Sequence, residues 1–204
     1  MGASALLITM DMTKIAAMSC NPAMGGIAKG QIVREIDALG GISGIVTDET
    51  GIQFRMLNRS KGPAMWSPRA QSDRMKFSAR WRYHLEQIEK LSFWQDTVTD
   101  LLFENKKAAG VVTRSGMTFH ALYVILTAGT FLNGLMHVGD KQLAGGRAGE
   151  STSRGLSESL HKFKIPVKRM KTGTSARLDG RTIDFSKMQI QEREDNPPKF
   201  SFLP

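Results

Sequence analysis

A short apolar run, residues 3–10 (ASALLITM), begins the pattern and has the length of a buried strand. A loop of small residues follows. From Gly26 to Leu39, apolar residues recur at Ala28, Ile32, Ile36 and Leu39, a spacing that gathers them on one face of a helix. Gly40-Gly41 ends that helix. Residues 51–57 (GIQFRML) read as a strand. Ser67-Pro68 then predicts the start of the longest helix, because serine is a favoured N-cap and proline is accommodated at the first helical position. Phe77, Trp81, Leu85 and Ile88 form its expected buried stripe. Arg69, Lys76 and Arg80 fall about a third of a turn away, as a basic flank.

The pattern changes over residues 91–127. LSFWQD, TVTDLLFEN, AAGVVTRS and MTFHALYVILT are strand-like runs divided by turn signals at Asn105-Lys106-Lys107 and Ser115-Gly116. Residues 121–127 (ALYVILT) are continuously apolar, as expected of a strand buried on both faces. Two glycine-rich stretches follow, GTFLNGL and GGRAGES, then a predicted helix over 151–163 and a short strand over 165–170. The tail from Gln189 is polar and carries an Asn-Pro-Pro turn. Strands alternating with helices around a central meander predict an α/β chain with a parallel sheet. A doubly wound nucleotide-binding sheet opens with a strand, a Gly-rich turn and a helix. This chain is expected to open on the second strand of such a sheet and to stop short of a finished end.

Charge sharpens the picture. The 204 residues carry a net charge of +9, and it is concentrated. Residues 55–90 hold a net +6 and residues 160–181 another +6, against a background of −3. Two separated basic blocks suggest a polyanionic partner, and a solvated basic surface is the plainer alternative. No run of eighteen apolar residues exists, so no membrane-spanning helix is predicted, and no basic leader precedes the first apolar run. The single cysteine, Cys20, excludes an internal disulfide framework and fits a reducing, cytoplasmic setting. His84, His120, His137 and His161 lack ligand spacing, so no metal site is expected. Glu35 and Asp37, beside Arg34, read as an intrahelical charge pattern.

The segment from Ser19 to Gly30, SCNPAMGGIAKG, carries the most information. Two glycines before a helix leave backbone N–H groups free for an anion or an electron-rich ring edge, and let the backbone approach a flat cofactor. On chemistry alone, plain loop-to-helix geometry is the commoner explanation. As a string it resembles the SCNPAxGGxxKG signature of the MnmG/GidA family, and the likeness continues in order. REIDALGG, GIQFRMLNRSKGPA (51–64), RAQSDR (69–74), VILTAGTFLNG (124–134), GGRAGE (145–150), RMKTGT (169–174), RTIDFS (181–186) and DNPPKFSF resemble successive blocks of that family. The likeness spans nearly all of the chain.

The resemblance implies a partial doubly wound, Rossmann-like FAD-binding domain over 1–175 and the start of an inserted NAD(P)H-related domain over 176–204. It implies a flavoenzyme that works with a GTPase partner of the MnmE type, as a homodimer at full length, without a membrane. That enzyme installs an aminomethyl or carboxymethylaminomethyl group on C5 of the tRNA wobble uridine. FAD, NAD(P)H as reductant and a folate one-carbon donor are the implied cofactors. Carried over by position, Ser19, Cys20, Asn21, Pro22, Gly25 and Gly26 match the loop beside the flavin. Val98 and Ser153 match further FAD contacts. Thr127, Ala128, Gly129 and Thr130 resemble a second dinucleotide motif, whose small residues let the chain pass the cofactor. Cys20 is either a small core residue or a thiol acting near the flavin. Arg55, Arg59, Lys61, Arg69, Lys76 and Arg80 are the candidate RNA contacts, with the Lys162–Arg181 block as the competing surface. The Gly-rich pyrophosphate turn has no counterpart here, and Ser175-Ala176 stands where the family commonly has Pro-Pro. Weak FAD binding and no turnover are therefore expected of these residues alone. A folate- and FAD-dependent tRNA uridine methyltransferase and a basic RNA-binding module without flavin chemistry are the alternatives.

Overall fold

The computed structural model describes every residue except Met1, Cys20, Thr174, Gln191, Arg193, Asp195, Asn196 and Pro204. In chain order the regular elements are β1 (Ala5–Thr9), β2 (Ala23–Gly25), α1 (Lys29–Ala38), α2 (Ser43–Thr50), β3 (Gly51–Leu57), β4 (Ser67–Ser72), α3 (Arg74–Glu86), β5 (Leu91–Gln95), β6 (Val98–Glu104), β7 (Lys107–Thr113), β8 (Thr118–His120), β9 (Leu135–Val138), β10 (Lys141–Ala144) and α4 (Leu156–Lys162). Contacts divide the chain into two units, each made of two separate stretches: Met1–Thr13 with Lys90–Thr172, and Lys14–Glu89 with Gly173–Pro204.

In the first unit, β1 pairs in parallel with β5, from Ala5 opposite Leu91 to Thr9 opposite Gln95. The expected meander is present as the antiparallel sheet β6-β7-β8. Asn105 and Lys106 both take positive φ (49° and 65°), which is what a two-residue hairpin turn between right-twisted strands requires. Leu101, Val111 and Leu156 make the core, with Ile8, Val98, Phe119 and Leu160 packed around them. Helix α4 docks on β6 through Ser159, whose hydroxyl accepts from the Leu101 N–H at 3.2 Å. It begins at Leu156 rather than at 151, because Thr152 and Ser153 spend their polar groups on neighbouring backbone and Gly155 turns at φ 96°.

The second unit is a three-stranded antiparallel sheet, order β2-β4-β3, with α1 and α2 against it and α3 packed on α2. Residues 67–72 are its central strand, not the first turn of a helix. Pro68 lacks an N–H, but its carbonyl accepts from Gly26 N at 2.9 Å, so the strand is held there by the acceptor side alone. The helix starts after Asp73, whose carboxylate accepts from the N–H groups of Met75 and Lys76 at 3.0 Å each. Arg69 therefore lies on β4, away from the helical flank expected of it. Phe77 is fully buried, Trp81 and Leu85 are half-buried, and Ile88 is exposed beyond the helix end.

Helix α1 reverses the expected facing. Ile32, Ile36 and Leu39 are exposed, while Gly30 and Asp37 are buried and Val33 packs on the core. The reason is steric and polar. A Cβ at Gly30 would lie 2.6 Å from the Pro68 carbonyl oxygen, so only glycine lets the helix sit this close to β4. Asp37 is not part of an intrahelical charge pattern. Its carboxylate accepts from the Ser201 hydroxyl at 2.6 Å and the Phe202 N–H at 2.7 Å. Asp48, on α2, accepts from the N–H groups of Phe200 and Ser201 at 2.6 and 2.9 Å. The two carboxylates thus grip three consecutive residues and seat Phe200 in a core with Phe54 and Ala70, edge to face on the Phe54 ring at 6.4 Å. The described residues of 176–204, expected as the start of an inserted domain, pack here with 14–89.

Four further elements depart from the sequence reading. Residues 121–127 belong to no strand: Leu122, Tyr123 and Ile125 are exposed, and Val124 reaches the core. A strand buried on both faces needs a ladder on each side, and among the described residues none pairs with it. Residues 165–170 are likewise unpaired. Helix α2 and the β9–β10 hairpin were not foreseen. Helix α2 is rich in threonine, and Thr47 and Thr50 turn their hydroxyls back onto the carbonyls of Ser43 and Val46 at 2.7 Å.

Two measurements check this account. Asp37→Ala leaves the Ser201 hydroxyl and the Phe202 N–H unsatisfied and is expected to lower unfolding free energy by about 3 kcal/mol in denaturant titration, whereas Ile36→Ala, on the exposed face, costs under about 0.5 kcal/mol. Glu49 bridges α2 to α3. The Arg80 guanidinium, hydrogen-bonded to it at 2.7 and 2.9 Å, and then His84 hold its carboxyl down from 4.5 to about 2, against a smaller opposing effect of burial. A depressed folded pKa stabilises above the ordinary value and loses that contribution as pH falls through the folded one. Glu49→Gln is thus expected to melt lower than the parent at pH 7, with the gap closing between pH 4.5 and about 2.

Candidate functional site

Residues 22–26 run along the central strand of the second unit. Pro22 O accepts from Ser72 N at 2.7 Å, and β2 continues the pairing, with Ala23 opposite Gln71, Met24 opposite Ala70 and Gly25 opposite Arg69. Asn21 O accepts from Ala23 N at 2.7 Å. Ser67 closes the far end by donating its hydroxyl to Gly26 O. Ser19 O accepts from Arg177 at 3.3 Å, so a residue of the second basic block reaches this loop. Cys20 itself lies outside the described residues.

The two glycines differ. Gly25 (φ 79°) is fixed by folding: a Cβ there would stand 2.2 Å from Pro68 O and 3.0 Å from the Phe200 ring. Gly26 (φ 99°) has no atom within 4 Å of its Cβ position. Its open side adjoins the start of α1, where Ala28 takes φ 63° and no side chain caps the helix. A helix start without a side-chain cap, next to open backbone, suits an anion or the electron-rich edge of a flat ring.

The candidate residues of the first unit converge on one another. The Ser153 hydroxyl donates to Val98 O at 3.2 Å, and Ser153 also bridges Leu132. Thr127-Ala128-Gly129-Thr130 forms the turn just before it: Phe131 N bonds Ala128 O at 3.1 Å, and the Thr130 hydroxyl bonds Gly146 O at 2.8 Å. Phe131 O then receives Ser153 N at 2.8 Å and the Thr152 hydroxyl at 2.8 Å. Positions 98, 127–130 and 153, far apart in sequence, thus share one network of backbone bonds.

The six basic candidates separate into distinct environments. Arg55 and Arg69 are register partners on β3 and β4 and are half-buried. Arg59 pairs with Glu194 at 2.9 Å. Arg80 is committed to Glu49 and lies over the Tyr83 ring at 4.7 Å. Lys61 and Lys76 are exposed, and neither side chain makes an ion pair among the described residues. Sequence reasoning missed Ser67, Gln31 and Trp66, which tie the 58–66 loop to α1 and to Gly26. The Ser-Pro pair that would have marked them was read as a helix cap. Among the described residues, no group of three His, Cys, Asp or Glu is placed to hold a metal, and no helix is long and apolar enough to cross a membrane.

Comparison with known proteins agrees with this layout. A curated relative from Phocaeicola vulgatus, named tRNA uridine 5-carboxymethylaminomethyl modification enzyme MnmG, is 62% identical over 203 residues, covering 100% of this chain and 33% of its own. The Flavobacterium psychrophilum protein of the same name is 59% identical over 202 residues, covering 99% and 32%. A crystal structure of Aquifex aeolicus GidA superposes with a TM-score of 0.93 at 48% identity, covering 100% of this chain and 34% of its own. The chain spans about a third of the length of these relatives. The pattern that defines the family described as "Glucose inhibited division protein A" matches residues 1–204, and with the shared fold this makes the chain a member of that family.

Proposed function

We propose that this chain forms part of an FAD-dependent enzyme that adds an aminomethyl or carboxymethylaminomethyl group to C5 of the tRNA wobble uridine. The observation that carries the reading is the open backbone at Gly26, beside a helix start without a side-chain cap, within a loop whose other glycine is closed off by Pro68 and Phe200. Ser19, Cys20, Asn21, Pro22, Gly25 and Gly26 are the proposed residues beside the flavin, and Val98, Thr127, Ala128, Gly129, Thr130 and Ser153 are the further proposed FAD contacts. Small side chains and backbone groups suit that task, since they admit close approach. When bound, FAD supplies the redox chemistry of the transfer. The chain's own contribution is to fix residues 22–26 on β4, keep the space at Gly26 clear and leave the start of α1 without a side-chain cap.

On this reading residues 1–175 belong to the flavin-binding domain and 176–204 lead into the inserted one. NAD(P)H as reductant, a folate one-carbon donor, a GTPase partner and a homodimer complete the proposed full-length system. The names of the curated relatives favour this modification over uridine methyl transfer, and over RNA binding without flavin chemistry.

In a protein of the relatives' full length carrying this segment, Gly26→Ala is expected to lower bound flavin severalfold, read by absorbance, at a cost of about 1–2 kcal/mol in stability. A folded Gly26→Ala protein with undiminished flavin and unchanged flavin reduction would overturn the placement. Gly25→Val cannot serve, because its side chain collides with Pro68 whether or not flavin is near.

For RNA, Lys61 and Lys76 are the proposed phosphate contacts of the first basic block. Each alanine substitution is expected to reduce the log–log salt slope of tRNA affinity by about 0.7–0.9. Arg80→Ala should leave the slope unchanged and lower the melting temperature, since Arg80 serves Glu49.

A further inference from the structure

Trp66 is exposed over 43% of its surface although its polar edge is already used. The indole N–H donates to Arg59 O at 3.2 Å. Its backbone N–H bonds Pro63 O at 3.2 Å, and its carbonyl accepts from the Gln31 side chain at 3.1 Å. The loop before it is two successive 3-10 turns, Arg59–Lys61 and Pro63–Met65, entered through Asn58 (φ 60°) and separated by Gly62 (φ 87°). The ring is therefore pinned by one edge on an ordered loop, and no aromatic side chain stacks on it among the described residues. Arg55, Arg59 and Lys61 lie on the same short segment, and the carboxylate bound there is Glu194, which leaves the surroundings net positive. The next two residues, Ser67 and Pro68, hold Gly26.

A rigid aromatic surface among cations is the arrangement that stacks an unpaired nucleobase while the cations take the adjacent phosphates. A helical duplex keeps its bases stacked on each other and offers such a ring only its backbone. We infer that Trp66 is a stacking platform for an unpaired base of the RNA substrate, one connection away from the loop proposed to line the flavin. This assignment rests on the reading of the chain as part of a tRNA-modifying enzyme. It adds the residue that recognises single-stranded character.

The test uses a protein of the relatives' full length carrying this segment, with a short RNA stem-loop and a blunt RNA duplex of equal length as probes. Trp66→Ala is expected to weaken stem-loop binding about tenfold, to leave duplex binding and the salt slope unchanged, and to retain its flavin. Trp66→Phe keeps an aromatic face without the N–H and should stay within about threefold of the parent. Tryptophan emission should be quenched by the stem-loop in the parent and not in Trp66→Phe, which also answers for Trp66→Ala should it fail to fold. Unchanged stem-loop affinity, equal losses on both probes, or a Trp66→Phe protein as weak as Trp66→Ala each overturn the platform. Failure of the underlying reading looks different: the parent itself would carry no flavin and show no affinity for tRNA.

Discussion

The second unit depends on a grip of two carboxylates on one strip of backbone. Asp37 and Asp48 stand on different helices, yet between them they take the N–H groups of Phe200, Ser201 and Phe202 and the Ser201 hydroxyl. A buried carboxylate such as Asp37 is costly unless its lone pairs are filled, and here the Ser201 hydroxyl and the Phe202 N–H fill them, while Asp48 holds its two N–H groups from an exposed position. Arg34 adds a hydrogen bond to Lys199 O at 3.4 Å and lies over the Phe202 ring at 4.8 Å. The consequence reaches the site. Phe200, once seated, fills the space beside Gly25, so β2 can close on β4 only if residue 25 has no side chain. Residues 22–26 are then held against β4, and Gly26 is left as the open position.

How far the sequence disclosed this varies with the physical origin of each element. The meander was legible because turn chemistry is local: Asn105-Lys106 and Ser115-Gly116 carry their own conformational preference. Helix α1 was legible as a helix and misread in its facing. Periodicity locates apolar stripes, but here the buried stripe is Gly30, Val33 and Asp37, chosen by close approach and hydrogen bonding to a segment 164 residues away. Ser67-Pro68 failed for a related reason, since a serine before a proline is a helix cap only when the following backbone is not already claimed by a sheet. The apolar run 121–127 has a strand's composition, and composition cannot supply the neighbour that makes a strand. The candidate site was legible as strings of residues through the family resemblance. The meeting of Val98 with Ser153, and of Ser67 with Gly26, was not, because neither contact leaves a local trace in sequence.

The charge count shows the same gap between sequence and space. Residues 55–90 look like one basic surface, but two of their arginines are answered by carboxylates from outside the block, Glu49 and Glu194. Arg80 is a structural cation that ties α3 to α2, while Lys61 and Lys76 keep their charge toward solvent. Of an apparent net +6, the part offered to a polyanion is smaller, with Lys61 on the 58–66 loop and Lys76 on α3 among its cations. Ion pairing, invisible to a sum over a window, decides which cations remain for a ligand.

The 58–66 loop adds to charge something that charge does not supply. Counterion release supplies affinity without regard to base or strand form, so exposed lysines alone would hold any RNA. A chain whose proposed chemistry acts on one unpaired base needs a second device that responds to a base out of its stack. The 58–66 loop holds such a device in Trp66, and the connection from there to the candidate flavin loop is short and rigid: Trp66, then Ser67 bonded to Gly26 O, then Pro68 bonded to Gly26 N. Rigidity matters, because a base held on a mobile arm would be presented to the candidate flavin loop in many positions, and orientation is a substantial part of what a protein contributes to a group transfer. The grip of Asp37 and Asp48 on residues 200–202 thus reaches the proposed RNA surface, through Phe200, β4 and the residue that precedes it.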